Sequence, residues 1–165
     1  MPTPQEEYRT IPLTRGQVAI VDAADYEWLS SFKWLAQWNS CTRSFYACRR
    51  ATLAEGGRGN VAMARLILGI ARGDRRQGDH INHDTLDNRR QNLRIVSRSQ
   101  NCSNRRIRSD NTSGFKGVSL FQGKYRARIM SCGKMVFLGD RDTAEEAHKL
   151  YSEAARRLHG EFAKI

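Results

Sequence analysis

No stretch of the sequence stays apolar for long enough to cross a bilayer. The best candidate, VAMARLILGIA (Val61–Ala71), is short and is interrupted by Arg65, whereas a membrane-spanning helix needs about 20 consecutive apolar residues. The opening residues, MPTPQEEYR, carry acidic groups and no apolar core, unlike a secretory signal. Cysteine is too scattered to organise a fold. Cys41, Cys48, Cys102 and Cys132 include no C-x-x-C pair, which argues against both a zinc site and a disulfide framework. A basic helix with an apolar face, the mark of membrane-surface binding, is also missing. These absences lead us to expect a soluble, intracellular chain with reduced thiols and no membrane partner.

What the chain has in excess is positive charge: 28 Lys+Arg against 17 Asp+Glu, a formal +11 over 165 residues. The excess is uneven, with 7 basic against 6 acidic residues over 1–60, 11 against 5 over 61–112, and 10 against 6 over 113–165. Such an imbalance points to a polyanionic partner, and with no amphipathic membrane helix that partner is expected to be nucleic acid.

Three segments follow from pattern, 1–60, 61–112 and 113–165. In the first, TIPLT and QVAIVD read as strands, and DYEWLSSF reads as a short helix with Trp28, Leu29 and Phe32 at helical spacing. KWLAQWN and RSFYACRRA read as a strand hairpin, and the three tryptophans (Trp28, Trp34, Trp38) are expected in the core. AEGGRGN (54–60) reads as a flexible connection to a short helix around Val61–Ile70. In the second segment NLRIV reads as a strand with Leu93 and Ile95 on one face, and SRSQ (97–100) matches a capping box, placing Asn101 in the first turn of a helix and pointing back toward the strands. The third holds three strands (115–121, 124–131, 134–140) joined through Gln122-Gly123 and Cys132-Gly133, lengths that suit two-residue hairpin turns. A second capping box, Thr143 with Glu146, then opens a helix whose apolar stripe is Ala144, Ala147, Leu150, Tyr151, Ala154, Ala155 and Leu158. Alternation puts Tyr125, Ala127, Ile129, Val136 and Leu138 against that helix and leaves Lys124, Arg126, Arg128, Met130, Met135 and Phe137 on the outer face. A basic sheet face bearing an aromatic is a geometry that enters a DNA major groove. The expected fold class is therefore α+β.

The segment GDHINHDTLDNRRQNLRIVSRSQN (78–101) carries the chemistry. Hydrolysing a phosphodiester requires an activated water and positive charge on the scissile phosphate, and a hard divalent cation supplies the second. Asp79 and Asn101 are oxygen donors of the kind that suit Mg2+ or Mn2+, and His80 has the chemistry of a base near neutral pH. Adjacent residues of a flat strand face opposite ways, so Asp79 and His80 share a cleft only if the backbone twists, which Gly78 would permit. Arg65, Arg89, Arg90, Arg94, Arg105 and Arg106 are the expected phosphate clamps.

Residues 61–108 resemble an HNH endonuclease of the ββα-metal type, in the phage-borne, homing-endonuclease-like branch, on the wording DHIN…LDNRRQNLRIVSRSQNCSNRR. The resemblance implies that His80 activates water, that Asp79 and Asn101 hold a divalent metal, and that Asn92 braces the loop carrying the pair. Residues 113–162 resemble the DNA-binding domain of plant ethylene-response factors, through SGFKGVS, YRARI, FLGDRDTAEEAHKLYSEAA and HGEFA. The duplex-contacting set expected there is Lys116, Ser119, Lys124, Arg126, Arg128, Lys134 and Phe137. IPLTRGQVAIVDAADYEWLSSFKW resembles the leader region of the same phage nucleases. Departures are Ala64, where relatives often carry histidine in Met-His-Arg, His83, where they often carry glycine, and Ser119 and Met135, where plant domains commonly use arginine. We therefore expect a metal-dependent endonuclease acting on double-stranded DNA in the cytoplasm of a bacterial or phage-infected cell, with no protein partner implied. The alternatives are a DNA-binding regulator with weak or no turnover on the same scaffold, and an RNA-processing nuclease.

Overall fold

Alternating burial begins with the first strands. In a computed structural model, which describes residues 8–52, 56–104, 107, 110–131, 133–163 and 165, β1 (Tyr8–Pro12) pairs antiparallel with β2 (Val18–Asp22), turning Ile11, Ala19 and Val21 inward. Helix α1 (Ala23–Ser30) follows at once and buries Asp25 and Leu29. Strands β3 (Leu35–Asn39), β4 (Ser44–Thr52) and β5 (Arg58–Ala62) form an antiparallel sheet in that order, followed by α2 (Met63–Ile67) and the hairpin of β6 (Gln77–His80) and β7 (Leu93–Val96). These elements make one unit, Met1–Val96. Its core gathers Ile11, Val21, Leu29, Trp34, Met63, Ile67 and Leu93, each large apolar side chain contributing about 1.5–3 kcal/mol by leaving water.

Several local expectations change here. Arg58, Gly59 and Asn60, expected in a flexible connection, lie in β5 and pair along β4 from Thr52↔Arg58 to Cys48↔Ala62; Ala54 and Glu55 of the same stretch lie outside the described residues. A glycine-rich sequence carries no alternation to announce a strand, and the open edge of β4 recruits it. Of the three tryptophans only Trp34 is in the core, its indole N–H donating to Leu29 O at 2.8 Å, while Trp28 and Trp38 are 38% and 47% exposed. Trp38 packs edge-on against Phe45 at the end of the β3–β4 hairpin, beyond the layer that buries Ala36 and Ala47. Phe32 falls just past α1 and is exposed. In β7 the buried pair is Leu93 and Val96, and Ile95 is exposed, because a four-residue strand is covered only at its two ends.

The second unit, Ser97–Ile165, begins with α3 (Arg98–Ser103). Its expected capping box is formed in both directions: Gln100 N–H donates to Ser97 Oγ at 3.2 Å, and Ser97 N–H donates to Gln100 Oε1 at 2.8 Å. Strands β8 (Val118–Phe121), β9 (Lys124–Ser131) and β10 (Lys134–Arg141) form an antiparallel sheet with β9 central, and α4 (Ala144–His159) packs on one face of it. Gln122 and Gly123 both take positive φ, 49° and 77°, as a two-residue turn of the type matched to strand twist demands. Thr143 Oγ accepts from Glu146 N–H at 3.3 Å at the start of α4. Gly117 sits so close to Tyr151 that an added Cβ would lie 2.0 Å from the ring, at φ +75°. The alternation expected for β9 holds, with Ala127 and Ile129 buried, whereas in β10 Leu138 packs inward but Val136 is 39% exposed although it pairs with Ile129. A β-bulge between Phe137 and Gly139 interrupts β10 and ends its cover at that point.

The chain is α+β throughout, built of small antiparallel sheets and short helices. Among the described residues no helix is long and apolar enough to cross a membrane.

Candidate active site

His80 closes β6 and is buried, 6% exposed. Its Nε2 lies 3.3 Å from Asn88 Oδ1. The orientation of that amide is set from its other end, because Asn88 Nδ2 donates to Leu86 O at 3.1 Å. With Oδ1 facing the ring, Nε2 must carry the proton, and the lone pair of the neutral imidazole resides on Nδ1. Burial pushes the pKa of His80 below its ordinary value, against the opposing pull of the Asn88 hydrogen bond and of the carboxylates of Asp79, Asp84 and Asp87. The imidazole is therefore neutral at pH 7. The Tyr46 ring meets it edge-on at 6.3 Å between centroids.

The residues between β6 and β7 form a loop held by its own side chains. Asn92 Oδ1 accepts from Asn82 N–H at 2.9 Å, and Asn92 Nδ2 donates to Asp87 O at 2.7 Å. Asn82 Nδ2 reaches Asp87 Oδ2 at 3.0 Å, and Asn88 N–H donates to Ile20 O at 2.7 Å, pinning the loop to β2. Asn88, Asn92 and Asp87 are all nearly inaccessible, at 1%, 6% and 2% exposure. Polar side chains this deep persist because each is hydrogen-bonded. His83 takes φ +63°, a left-handed backbone that glycine adopts more readily.

Asp79 is 8% exposed and stands directly opposite Arg94, whose Nε donates to Asp79 Oδ2 at 2.9 Å. Gly78 has no unusual backbone; its missing side chain admits close packing, since a Cβ there would lie 3.1 Å from Leu68 Cδ1 and 3.5 Å from the Ala64 Cβ. Asn101 lies on α3 in the second unit, its N–H donating to Ser97 O at 3.0 Å. Among the described residues no group of three or more His, Cys, Asp or Glu side chains gathers as a metal-holding cluster. The available donors, the buried carboxylate of Asp79 and the amide oxygen of Asn101, are of the hard-oxygen kind that fits Mg2+ or Mn2+.

The arginines expected as phosphate clamps are largely engaged by the protein. Arg65 donates to the carbonyls of Arg76, Ala71 and Asp74. Arg89 grips Asp87 at 2.8 and 2.7 Å, holding that carboxyl below its usual range, and Arg90 grips Asp25 at 2.7 and 2.8 Å. Burial raises the Asp25 pKa, but the hydrogen bonds from Arg90 and Trp28 carry it below normal. Arg105 and Arg106 lie outside the described residues. In the second unit Lys116 Nζ donates to Ser103 O at 2.7 Å, Lys124 pairs with Asp142 at 3.2 Å, and Arg128 Nη2 donates to Ser119 Oγ at 3.3 Å. Lys134 and Phe137 are exposed. Arg126 is held by Asp140.

Asn88, Asp87, Asp25 and Tyr46 escaped the reading of the sequence. Asparagine and aspartate between two strands are ordinary turn residues, and nothing in a one-dimensional pattern separates an amide that caps a turn from one aimed at an imidazole.

No protein-family profile matches the chain. It is 34% identical over 85 residues to a protein of Acanthamoeba polyphaga mimivirus named as an uncharacterized HNH endonuclease, an alignment covering 52% of this chain and 44% of that one. It is 33% identical over 89 residues to Protein 3.8 of Escherichia phage T7, covering 53% of this chain and 73% of the phage protein. Over 56 residues it is 38% identical to APETALA2-like protein 2 of Oryza sativa, 33% of this chain and 13% of the plant protein. The chain thus spans less than half the length of the mimivirus relative and a small part of the plant one.

Proposed function

The chain belongs to the family of Protein 3.8 of Escherichia phage T7, and from the geometry around His80 we propose that it is a metal-dependent endonuclease hydrolysing phosphodiester bonds in double-stranded DNA. The similarity to a protein named as an HNH endonuclease supports the nuclease half, and that to an APETALA2-like protein supports a DNA-binding module in the second unit. One observation carries the reading: a buried, neutral imidazole whose Nε2–H is satisfied by Asn88, leaving Nδ1 as the proton acceptor, next in the chain to a buried carboxylate.

The Asp79 carboxylate would hold a Mg2+ or Mn2+ ion, which when bound withdraws charge from the scissile phosphate and stabilises the leaving oxygen. His80 Nδ1 takes a proton from water; the water oxygen forms a bond to phosphorus as the bond to the leaving sugar oxygen breaks. Asn88 keeps the lone pair on the correct nitrogen. Asn92 holds the loop that presents Asn88, through Asn82 and Asp87. Arg94 spreads the charge of Asp79 while the site is empty of substrate. Arg65, whose bonds go to backbone carbonyls and leave its charge unneutralised, remains for phosphate oxygens.

Incubating supercoiled plasmid with protein and Mg2+ or Mn2+ tests this. Nicking that disappears with EDTA and in His80→Ala is expected. A second reading, a DNA binder without turnover, is favoured by Ala64, which stands where relatives often carry histidine and is buried against Gly78. Tight duplex binding with no nicking by the wild-type chain in either metal would establish it instead.

A further inference from the structure

The outward face of the C-terminal sheet contains an arginine built differently from its neighbours. With Phe137 opposite Arg128, an uninterrupted β10 would put Gly139 opposite Arg126; the bulge shifts the register by one and puts Asp140 there. The Asp140 carboxylate then grips the side of the guanidinium, Nε to Oδ1 and Nη2 to Oδ2, both at 2.8 Å. Phe121 lies 3.6 Å from the Arg126 guanidinium carbon and Phe137 5.2 Å from it, measured to ring centroids. Two exposed aromatics, a carboxylate and a bulge therefore hold one arginine in one orientation. Asp140 occupies Nε and one proton of Nη2, which leaves the end of the fork, Nη1 and the second Nη2 proton, as two parallel donors; Nη1 makes no protein hydrogen bond among the described residues.

We propose that Arg126 is a base-reading residue that takes the O6 and N7 of a guanine in the DNA major groove, with Asp140 as the residue that positions it. The proposal rests on the DNA-binding reading of the second unit. Two parallel donors in a fixed plane match the two acceptors of guanine, and no other base edge in the major groove offers that pair. A phosphate clamp requires a free positive charge, and here that charge is already neutralised by Asp140. A surface ion pair kept for stability alone has no use for a bulge and two exposed phenyl rings around it, since exposed pairs contribute little. Arg128 and Lys134, on the same two strands, have no carboxylate partner among the described residues and are the members of this face suited to phosphate.

The test selects bound duplexes from a randomised pool with the full-length chain in EDTA, so that no cutting intervenes, and then measures affinity against salt. The wild-type chain is expected to select guanine at one position, where any other base weakens binding about 5- to 150-fold, the equivalent of about 1–3 kcal/mol. Arg126→Lys and Asp140→Asn should flatten that position alone. The double substitution Arg126→Ala/Asp140→Ala should do the same without changing the slope of log K against log salt, because the pair it removes is neutral. Guanine selection that survives all three variants would overturn the proposal, as would a slope shallower by about 0.9 in Arg126→Ala/Asp140→Ala, the signature of a lost phosphate contact. A wild-type chain that binds no duplex would overturn the DNA-binding reading itself, a result distinct from either.

Discussion

Replacing Asn88 by alanine probes the wiring of the site most directly. The asparagine makes two side-chain hydrogen bonds from a position 1% exposed: Nδ2 to Leu86 O at 3.1 Å, and Oδ1 with His80 Nε2 at 3.3 Å. Alanine leaves a buried imidazole N–H without its partner, while Leu86 O keeps the bond from Ile20 N–H at 2.9 Å. A buried group stripped of its partner costs about 1–3 kcal/mol, and that is the expected loss. That is a large part of the about 5–15 kcal/mol by which a domain is ordinarily stable. Trp28, Trp34 and Trp38 all lie in the first unit, so urea unfolding followed by tryptophan fluorescence reports on that unit. Nitrogen-15 chemical shifts of the His80 ring should place the proton on Nε2 in the wild type. A midpoint unchanged within about 0.5 kcal/mol in Asn88→Ala, or a ring protonated on Nδ1 in the wild-type chain, would refute the reasoning.

Asn92→Ala should cost a similar amount, since it strips the buried Asp87 O of its partner and releases the Asn82 N–H, and nicking should fall with it; an unaltered unfolding midpoint counts against the loop's being held this way. His80 has its pKa lowered by burial, so its neutral form persists below the ordinary value of about 6.5. A rate–pH profile should therefore begin its acid decline below that value. The same shift makes the folded first unit lose stability as pH falls from about 6.5 through the folded pKa, because the unfolded chain takes up the proton more readily; acid unfolding of His80→Gln should lack this component. Gly117→Ala would place a methyl 2.0 Å from the Tyr151 ring at φ +75°. Overpacking and left-handed strain together predict about 2–5 kcal/mol of destabilisation. Circular dichroism melting of the second unit's signal and DNA binding should both report it, and a melting point equal to wild type would contradict the packing.

Local physics wrote much of this chain in a form that can be read without coordinates. The capping box at Ser97 and Gln100, the Thr143 cap of α4, the two-residue turn at Gln122-Gly123 and the alternation along β9 each depend on residues within a few positions of one another. Those are the distances over which dihedral preference and side-chain period act. The α+β class and the basic excess follow from the same short-range information. Where a strand had no alternation to show, as in the glycine-bearing β5, its existence depended on the edge of β4 and was not visible.

Contacts between distant residues belong to the folded state. Arg90 meets Asp25 across 65 positions, and Thr85 Oγ donates to Phe45 O across 40. Which of the asparagines near His80 turn inward, which indole enters the core, and which side chain faces Arg126 all follow from how strands are brought together. The last is the plainest case: a single extra residue in β10 exchanges Gly139 for Asp140 opposite Arg126. Side chains alternate with period two along a strand, so a one-residue slip reverses every neighbour beyond it. That shift is a property of pairing, and a lone strand sequence does not contain its partner.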